Sequence, residues 1–529
     1  MRYRVPGIHA WLDEPPDAVT RRVAEKLGLR PDDLPEVDVV RRSLDARRKG
    51  HPRWVIDAEV EVPGGLRSLP PGVEPVPEPS PPAAPVRPPD RPPVILGAGP
   101  AGLFCAWGLL QRGVRSIVVD RGRPVGPRRR DVARLMREGV LDPDSNMNFG
   151  EGGAGAYTDG KLSTRIRHPA VRTVVELFAR FGKIERIKVQ GKPHVGSDVL
   201  PAAVSAMREE LERGGCQFLW EARATDVEVS GGRVRALVLA DGRSVPCDRL
   251  VLAPGNSARE LYALFAARGW PIEAKPFAVG FRVEHPQGLI DRIQYGRAAG
   301  TEGLPAADYR LAENPTVGGR PRGVFSFCMC PGGVVVPTPT EPGLQVTNGM
   351  SNSGRSSPLA NAGLVVAVSP DDFAAEGFTG PLAGIEWQRK WERAAFELAG
   401  GGYRAPAQQL TAWLAGKPGP PPGKSSYRPG LAHASLDRLY PPQVHEALRA
   451  AVRGFDQRMR GFASPDALLI GIESRTSAPC RIPRGDDFQV PGITGLYPAG
   501  EGAGHAGGIV SSAVDGLKAA DAICAELGG

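Results

Sequence analysis

Short apolar runs in this chain close on a glycine or an acid, and longer apolar stretches recur at helical spacing. Residues 3–10 read as a strand. Residues 16–26 read as a helix, with Asp17 in its first turn and Gly28 past its end. Residues 37–42 and 54–62 alternate as strands, so residues 1–63 predict a small β-α-β-β module. Residues 64–93 are dense in proline, cannot bury a core and tend to extended polyproline II, so they predict a linker that leaves the module tethered rather than merged. A strand, turn, helix and strand follow over residues 94–120. Residues 201–213 predict a helix stopped by Gly214 and Gly215, and 218–220 a short strand. Residues 223–229, 234–239 and 244–247, with turns at Gly231, Gly232, Asp241 and Gly242, predict a three-stranded meander. Residues 250–253 read as a buried strand. Residues 277–283 predict a further strand, and 385–399 a helix that ends in three glycines. Residues 416–423 form a second proline-rich loop. Residues 496–499 read as another buried strand, and 509–527 as a C-terminal helix.

A chain of 529 residues is too long for one core and predicts two or three domains. No run of about 18 apolar residues is present, and the opening M-R-Y-R-V-P-G-I-H lacks an apolar signal core, so a cytoplasmic protein without membrane association is expected. Seven cysteines, an odd number without a repeating framework, fit a reducing compartment. The net charge of +8 fits nucleic acid or anionic substrates, but the abundance of Arg, Gly, Pro and Ala is the simpler explanation. Residues 41–49, with four Arg and one Lys, could meet phosphate or RNA. A solvated loop is the commoner meaning of such a run, and nucleic acid is not the expected partner.

The chemistry begins at V-I-L-G-A-G-P-A-G, residues 94–102. Gly97 permits a tight turn, Gly99 lets backbone approach a pyrophosphate, and Gly102 lets the helix pack on the strand. Pro100 and Ala101 complete the turn, and the helix N-terminus offers free N–H groups to phosphate. Asp120, roughly 20 residues on, stands where an acid meets ribose hydroxyls, and Arg121 follows it. This predicts a dinucleotide without choosing between FAD and NAD. A second cluster, residues 148–165, carries Gly150, Gly152, Gly153 and Gly155 as bare amides near the cofactor. Residues 260–465 contain no second complete G-x-G-x-x-G, which argues against a separate NAD(P)H domain. Cys328 and Cys330 would face one side of a strand. They fit a redox pair, half of a soft-metal site, or ordinary buried residues. The other ligands of a zinc site are missing, and no metal is expected. Residues 347–355 predict a polar loop that could line a pocket, and no hydrolase signature competes.

Taken together, I-L-G-A-G-P-A-G-L-F, S-N-M-N-F-G-E-G-G-A-G-A-Y-T-D-G-K-L, K-P-H-V-G-S-D, A-K-P-F-A-V-G-F-R-V-E-H-P, F-S-F-C-M-C-P-G-G, G-I-E-S-R-T-S-A-P-C-R and L-Y-P-A-G-E-G-A-G-H-A-G-G-I resemble a family of bacterial and plastid FAD-dependent dehydrogenases, flavoproteins of the two-dinucleotide-binding-domain type. The resemblance runs from the N-terminal module to the end of the chain. It departs at Asp120, where Glu is more usual, and at the long proline linker. It implies an α/β fold: a Rossmann-like FAD-binding domain (β-α-β, β-meander, C-terminal return), an inserted α+β substrate domain and the small N-terminal β-α-β-β module. The expected boundaries are 1–63 for the module and 64–93 for the linker. Residues 94–165, 200–259 and 466–529 would form the FAD-binding domain, and 166–199 and 260–465 the substrate or cap domain. It also implies non-covalent FAD. Gly255 would end the returning strand, and Asp159, Lys161 and Arg165 would lie near the flavin. Gly500 and Glu501 would place a carboxylate on the ribityl chain, and Gly507, Gly508 and Ile509 would aim the last helix at the flavin N1/C2=O edge.

The function expected is hydride transfer through flavin N5, to or from a small organic substrate held by residues 260–465, with NAD(P)H available as a transient electron donor. His505 is the first candidate for proton transfer, or it only packs against the cofactor. Glu473 and Arg475 would enter the site together, as a carboxylate-binding pair or an internal ion pair. His194, His285 and Arg282 are second-rank candidates. Two other classes stay open: an RNA-binding or RNA-modifying flavoprotein that uses the basic module, and a non-catalytic scaffold stabilised by FAD.

Overall fold

Short, wholly apolar strands suit a parallel sheet covered on both faces, and the centre of the molecule is built that way. In the computed structural model, which describes residues 1–15, 17–34, 36–77 and 84–528, five parallel strands lie in the order Leu496–Pro498, Leu250–Leu252, Val94–Leu96, Ile117–Val119, Gln217–Leu219. One face is covered by the helices Pro100–Gln111, Leu200–Arg213 and Ile509–Gly528. The other carries the antiparallel meander Ala224–Ser230, Arg233–Leu239, Ser244–Pro246 and the helix Arg259–Ala267.

The second domain is a seven-stranded sheet. Its order is Ala312–Glu313, Val324–Cys330, Leu359–Val368, Phe277–Pro286, Leu468–Glu473, Ala405–Gln409, Leu431–His433, with only the last pair parallel. The helices Ala383–Leu398 and Pro442–Arg458 bury Trp387, Leu448 and Phe455 against it. A hairpin of Gly333–Pro337 and Thr347–Ser351 completes the domain, so the expected polar loop at 347–355 begins as a strand.

Three expected boundaries move. Residues 166–199, assigned to the cap, carry the helix Ala170–Gly182, whose Val174, Leu177 and Phe178 enter the core of the first domain. Their helical spacing gives the helix one apolar stripe, and that stripe finds the dinucleotide fold. The strand Leu468–Glu473, assigned to the FAD-binding domain, lies inside the second sheet, where an apolar run is buried on both faces. The N-terminal module has the expected order, with the helix Asp17–Leu27 on the strands Val37–Asp45, Arg53–Glu61 and Arg2–Trp11. It is docked rather than only tethered. Glu74–Pro75, inside the expected linker, pairs with its first strand, Gly191 N–H donates to Arg42 O at 2.8 Å, and Gly50 N–H to Tyr295 O at 2.9 Å. The basic run stays exposed, with Arg42 stacked on Trp54 at 3.8 Å and Arg47 paired with Asp45 at 2.8 Å. The helix start expected at residue 16 and the linker positions 78–83 lie outside the described residues. Among the described residues no helix is long and apolar enough to cross a membrane.

The closest helix contact joins Pro100–Gln111 to Ile509–Gly528. A Cβ at Gly516 would stand 2.0 Å from Ala101 O, and one at Gly108 2.8 Å from Ala520 Cβ. Gly516→Val should therefore cost about 3 kcal/mol or more, by forcing the helices apart. Gly126→Ala, in the helix Val125–Glu138 with nothing within 4 Å of the new methyl, should stay within about 1 kcal/mol of wild type or gain stability. Thermal melts of both variants check the contrast.

Candidate cofactor site and the cysteine cluster beside it

Four glycine-bearing segments converge at the carboxyl ends of the parallel strands. In the first turn a Cβ at Gly97 would meet Ala253 O at 2.2 Å, and one at Gly102 would meet Gly97 O at 1.8 Å. Both positions need glycine for the strand–turn–helix to close. Gly99, the N-cap of the helix Pro100–Gln111, has no side-chain cap, and a Cβ there would touch nothing nearer than Gly153 Cα at 3.8 Å. The second cluster lies on the first through Gly152 N–H to Ala98 O, 2.8 Å. The third and fourth segments hold Gly255, Gly507 and Gly508, where an added Cβ would meet nothing within 4 Å. A cleft floored by bare backbone and bounded by the N-termini of two long helices fits a dinucleotide with a pyrophosphate and a flavin edge.

Glu501 stands after the strand Leu496–Pro498. It accepts from Asn256 Nδ2 at 2.9 Å and faces Gly508 N–H at 3.5 Å, and burial raises its pKa. That places a carboxylate at the start of Ile509–Gly528, where Ile509 is buried. Asp120 is more self-engaged than expected. One oxygen accepts from Ala98 N–H and the other from Gly122 N–H, each at 2.8 Å, so the short side chain braces its own turn and keeps only its remaining lone pairs for a ribose. Arg121 pairs with Asp144 at 2.6 Å and lies over Phe149.

Two buried residues that sequence reasoning missed hold this floor. The Arg128 guanidinium donates to the carbonyls of Asn146, Glu151 and Gly153 at 2.5–2.8 Å, pinning the loop of Gly150 and Gly152. Asp515 accepts from Gly500 N–H at 2.7 Å and pairs with Arg484 at 2.7 Å. Little in the sequence singled them out, since Arg128 stands among other arginines of the helix Val125–Glu138 and Asp515 among other charged residues of the last helix.

On the opposite wall stands the strand Val324–Cys330. Its pairing with Leu359–Val368 loses register between Phe327 and Cys330, and Cys328 adopts a φ of +42°, the left-handed region. The simple alternation expected for Cys328 and Cys330 is therefore broken by a bulge. Cys328 is half-buried and Cys330 buried. Lys161 Nζ donates to the intervening Met329 O and pairs with buried Asp159 at 3.1 Å. Asp159 also accepts from Ser351 Oγ and contacts His194 Nε2 at 3.1 Å. Burial raises the Asp159 pKa, but His194 and Lys161 outweigh it and hold the carboxyl low. Burial disfavours the Lys161 charge, yet the two cysteines and Asp159 raise its pKa.

Arg282, in the central strand Phe277–Pro286, is fully buried. It donates to Cys328 O at 3.0 Å and Asn361 Oδ1 at 3.1 Å, pairs with Glu473 at 3.1 Å, and reaches Cys330 Sγ at 3.8 Å. Gly349 makes the room, since a Cβ there would stand 2.1 Å from the guanidinium. Burial pushes the Glu473 carboxyl up to about 7 against the pull of Arg282.

The structure splits the expected pair of Glu473 and Arg475. Glu473 joins Arg282, whereas Arg475 joins Glu392 at 2.8 Å in a buried network with Arg259. Arg475 also donates to Thr340 Oγ1 at 2.6 Å, so its donors are spent inside the fold. His505 lies near the start of the last helix, with Nε2 2.9 Å from Ile482 O, and burial lowers its pKa. His285 is buried with Nε2 2.8 Å from Phe462 O, away from the cysteines, and burial holds its pKa down at about 4. Arg165 has an exposed side chain. Among the described residues no three His, Cys, Asp or Glu side chains gather as a metal site.

Residues 276–476 match the family model described as "FAD-dependent protein, C-terminal domain-like", and residues 8–61 match a domain of unknown function. A Clostridium beijerinckii protein, described as uncharacterized, is 38% identical over 531 residues, covering 99% of this chain and 98% of that one. The chain belongs to the same family as that protein. The domain match, on the second domain across from the glycine turns, supports FAD as the dinucleotide. Solved structures similar to this chain include a glycine oxidase from Bacillus cereus (12% identical, 83% of this chain and 96% of that one, TM-score 0.33). Another is an L-amino acid deaminase from Proteus vulgaris (11% identical, 83% and 91%, TM-score 0.32). Those scores are too low to carry residue positions across.

The Glu473 carboxyl supplies a pH signature. Its pKa rises from 4.5 in the open chain to about 7 in the fold, so the stability it contributes is complete below 4.5 and is lost as pH rises through 7. Glu473→Gln keeps the side chain neutral throughout. Wild type should therefore lose melting temperature relative to this variant across that window and run parallel to it above, in melts recorded against pH. Arg128→Met should raise the Kd for FAD, measured by titrating the apoprotein, by about tenfold, a change of about 1.4 kcal/mol, because three loop carbonyls lose their donor.

Proposed function

We propose that the protein is an FAD-dependent oxidoreductase of the two-dinucleotide-binding-domain type, acting as a dehydrogenase or reductase on a small organic substrate. The observation that carries this reading is the convergence of the 97–102 turn, Glu501 and the start of the last helix on one cleft, faced by Lys161 and the Cys328 bulge. FAD bound there supplies two-electron chemistry at N5. Gly99, Gly153 and Gly255 leave room for the pyrophosphate, and the amides opening Pro100–Gln111 complement its charge. Gly507 and Gly508 would leave the positive end of the last helix open to the electron-accepting edge of the ring system. Glu501 would hold the ribityl hydroxyls as an acceptor. Substrate lies between this floor and the strand Val324–Cys330. Lys161 keeps a positive charge beside it, and Glu473, with a pKa near neutrality, holds or releases a proton behind Arg282.

The test is the absorbance of the purified protein, followed anaerobically as NADH, NADPH and then a metabolite panel are added. We expect a yellow protein whose flavin is released on denaturation. Bleaching by NAD(P)H marks a reductase, and bleaching by one metabolite names the substrate of a dehydrogenase. Colourless protein that cannot be reconstituted with FAD would overturn the reading. Gly99→Ala should weaken FAD binding by about tenfold or more, about 1.4 kcal/mol. Its melting temperature without cofactor should be unchanged, because the new methyl projects into the cleft and touches only Gly153.

A further inference from the structure

Seven cysteines are present, and their surroundings separate one from the rest. Cys105, Cys247, Cys480 and Cys524 are buried, and burial pushes their thiols up, Cys247 and Cys480 to about 12. Cys328 alone is partly open to solvent. It sits on a bulge whose backbone is fixed from both sides, by Lys161 on Met329 O and by Arg282 on its own carbonyl. The Cys330 thiol donates to Cys328 O at 3.3 Å, and its sulfur lies beside that of Cys328. Two cations, Lys161 and Arg282, face the two sulfurs. Asp159, Glu473 and Glu501 are the acids around them. Cys330's thiol hydrogen bond, followed by the two cations, brings Cys328 down to about 6, and the same coupling pushes Cys330 up. A solvent-reachable thiolate beside a protonated second thiol is the arrangement of an attacking and a resolving cysteine.

We propose that Cys328 and Cys330 form a reversible dithiol–disulfide couple, with Cys328 as the nucleophile, and that the substrate class of this oxidoreductase is a low-molecular-weight disulfide or the corresponding thiol. The assignment rests on the flavoprotein reading for the electrons that turn the couple over, and on the cysteine geometry for the couple itself. In exchange with an external disulfide, the Cys328 thiolate attacks one sulfur. The external S–S bond breaks, and the departing thiolate takes a proton from solvent. Cys330 then gives up its proton and attacks Cys328 Sγ, and the second external thiolate leaves with that proton. Two cysteine thiols become one disulfide, and one external disulfide becomes two thiols. Lys161 is a positioning residue, which holds the bulge and the charge of the attacking sulfur.

The experiment equilibrates the full chain with reduced or oxidised dithiothreitol, quenches in acid, and counts thiols by maleimide labelling and peptide mass spectrometry. The visible spectrum of the same samples is recorded. We expect oxidation to remove two thiols of seven, both in the peptide holding Cys328 and Cys330. Cys330→Ser should trap one oxidised glutathione as a mixed disulfide on Cys328, and Cys328→Ser should trap none. Iodoacetamide should alkylate Cys328 in Cys330→Ser with a rate that titrates below pH 8. Lys161→Gln in that background should move the midpoint upward. No loss of thiols, or loss at other cysteines, in protein that retains flavin would overturn the couple and leave the flavoprotein reading standing. Disulfide formation in protein that never binds FAD would sustain the couple and overturn that reading. Equal trapping by both serine variants would overturn Cys328 as the nucleophile.

Discussion

The close crossing of the helices Pro100–Gln111 and Ile509–Gly528 is the contact on which the candidate site depends. Gly516 sets its backbone against that of Ala101 at that crossing, Gly108 admits Ala520 Cβ, and Gly500 admits Ala101 Cβ just outside it. The two helices then run under the same parallel sheet, so their N-termini open on the same cleft. Hundreds of residues separate them in sequence, yet a methyl group at Gly516 would push them apart. The loop from Gly500 to Gly508, with Glu501 in it, takes its position from this contact and from the clasp of Asp515 and Arg484.

A second constraint is the burial of arginines. A guanidinium removed from water is tolerated only when nearly all its donors are matched, and three sites meet that demand. Arg128 spends its donors on loop carbonyls beneath the cofactor floor. Arg259, at the start of a first-domain helix, and Arg475 share Glu392 from the second domain, which ties the two domains at a buried point. Arg282 ties its own strand to three others of the second sheet and carries positive charge to the sulfurs of Cys328 and Cys330. For Arg259, Arg475 and Arg282 the charge partner comes from a distant part of the chain, and the site inherits its geometry from that match.

Most of the elements around the cleft were legible along the chain. The run from Val94 to Gly102 announces its turn, because Gly97 and Gly102 stand where any side chain would collide with backbone. The meander, the returning strand at 250–252 and the C-terminal helix also lie where the pattern puts them. The assignment of elements to domains was less legible. Residues 170–182 and 468–473, to which the pattern along the chain gave no element, form a helix and a strand in the other domain from the one expected, since an apolar stripe records that it is buried and not against what. In the site, Cys328 and Cys330 were visible as a pair, but the bulge between them was not, because ordinary strand alternation describes the same letters. Glu473 and Arg475 looked like partners by proximity, and the fold sends them to different networks.

By itself the sequence determined the local structure. Glycine sterics, apolar periodicity and proline content act within a few residues, so they set the turn at 97–102, the helices and strands, and the dinucleotide chemistry they imply. Only the tertiary structure decided which charges meet. It put Lys161 on the carbonyl between two cysteines, turned Asp120 into its own loop and spent Arg475 on Glu392. Those choices depend on which buried donors and acceptors the packed sheets bring within about 3 Å of each other, and no spacing along the chain encodes that distance.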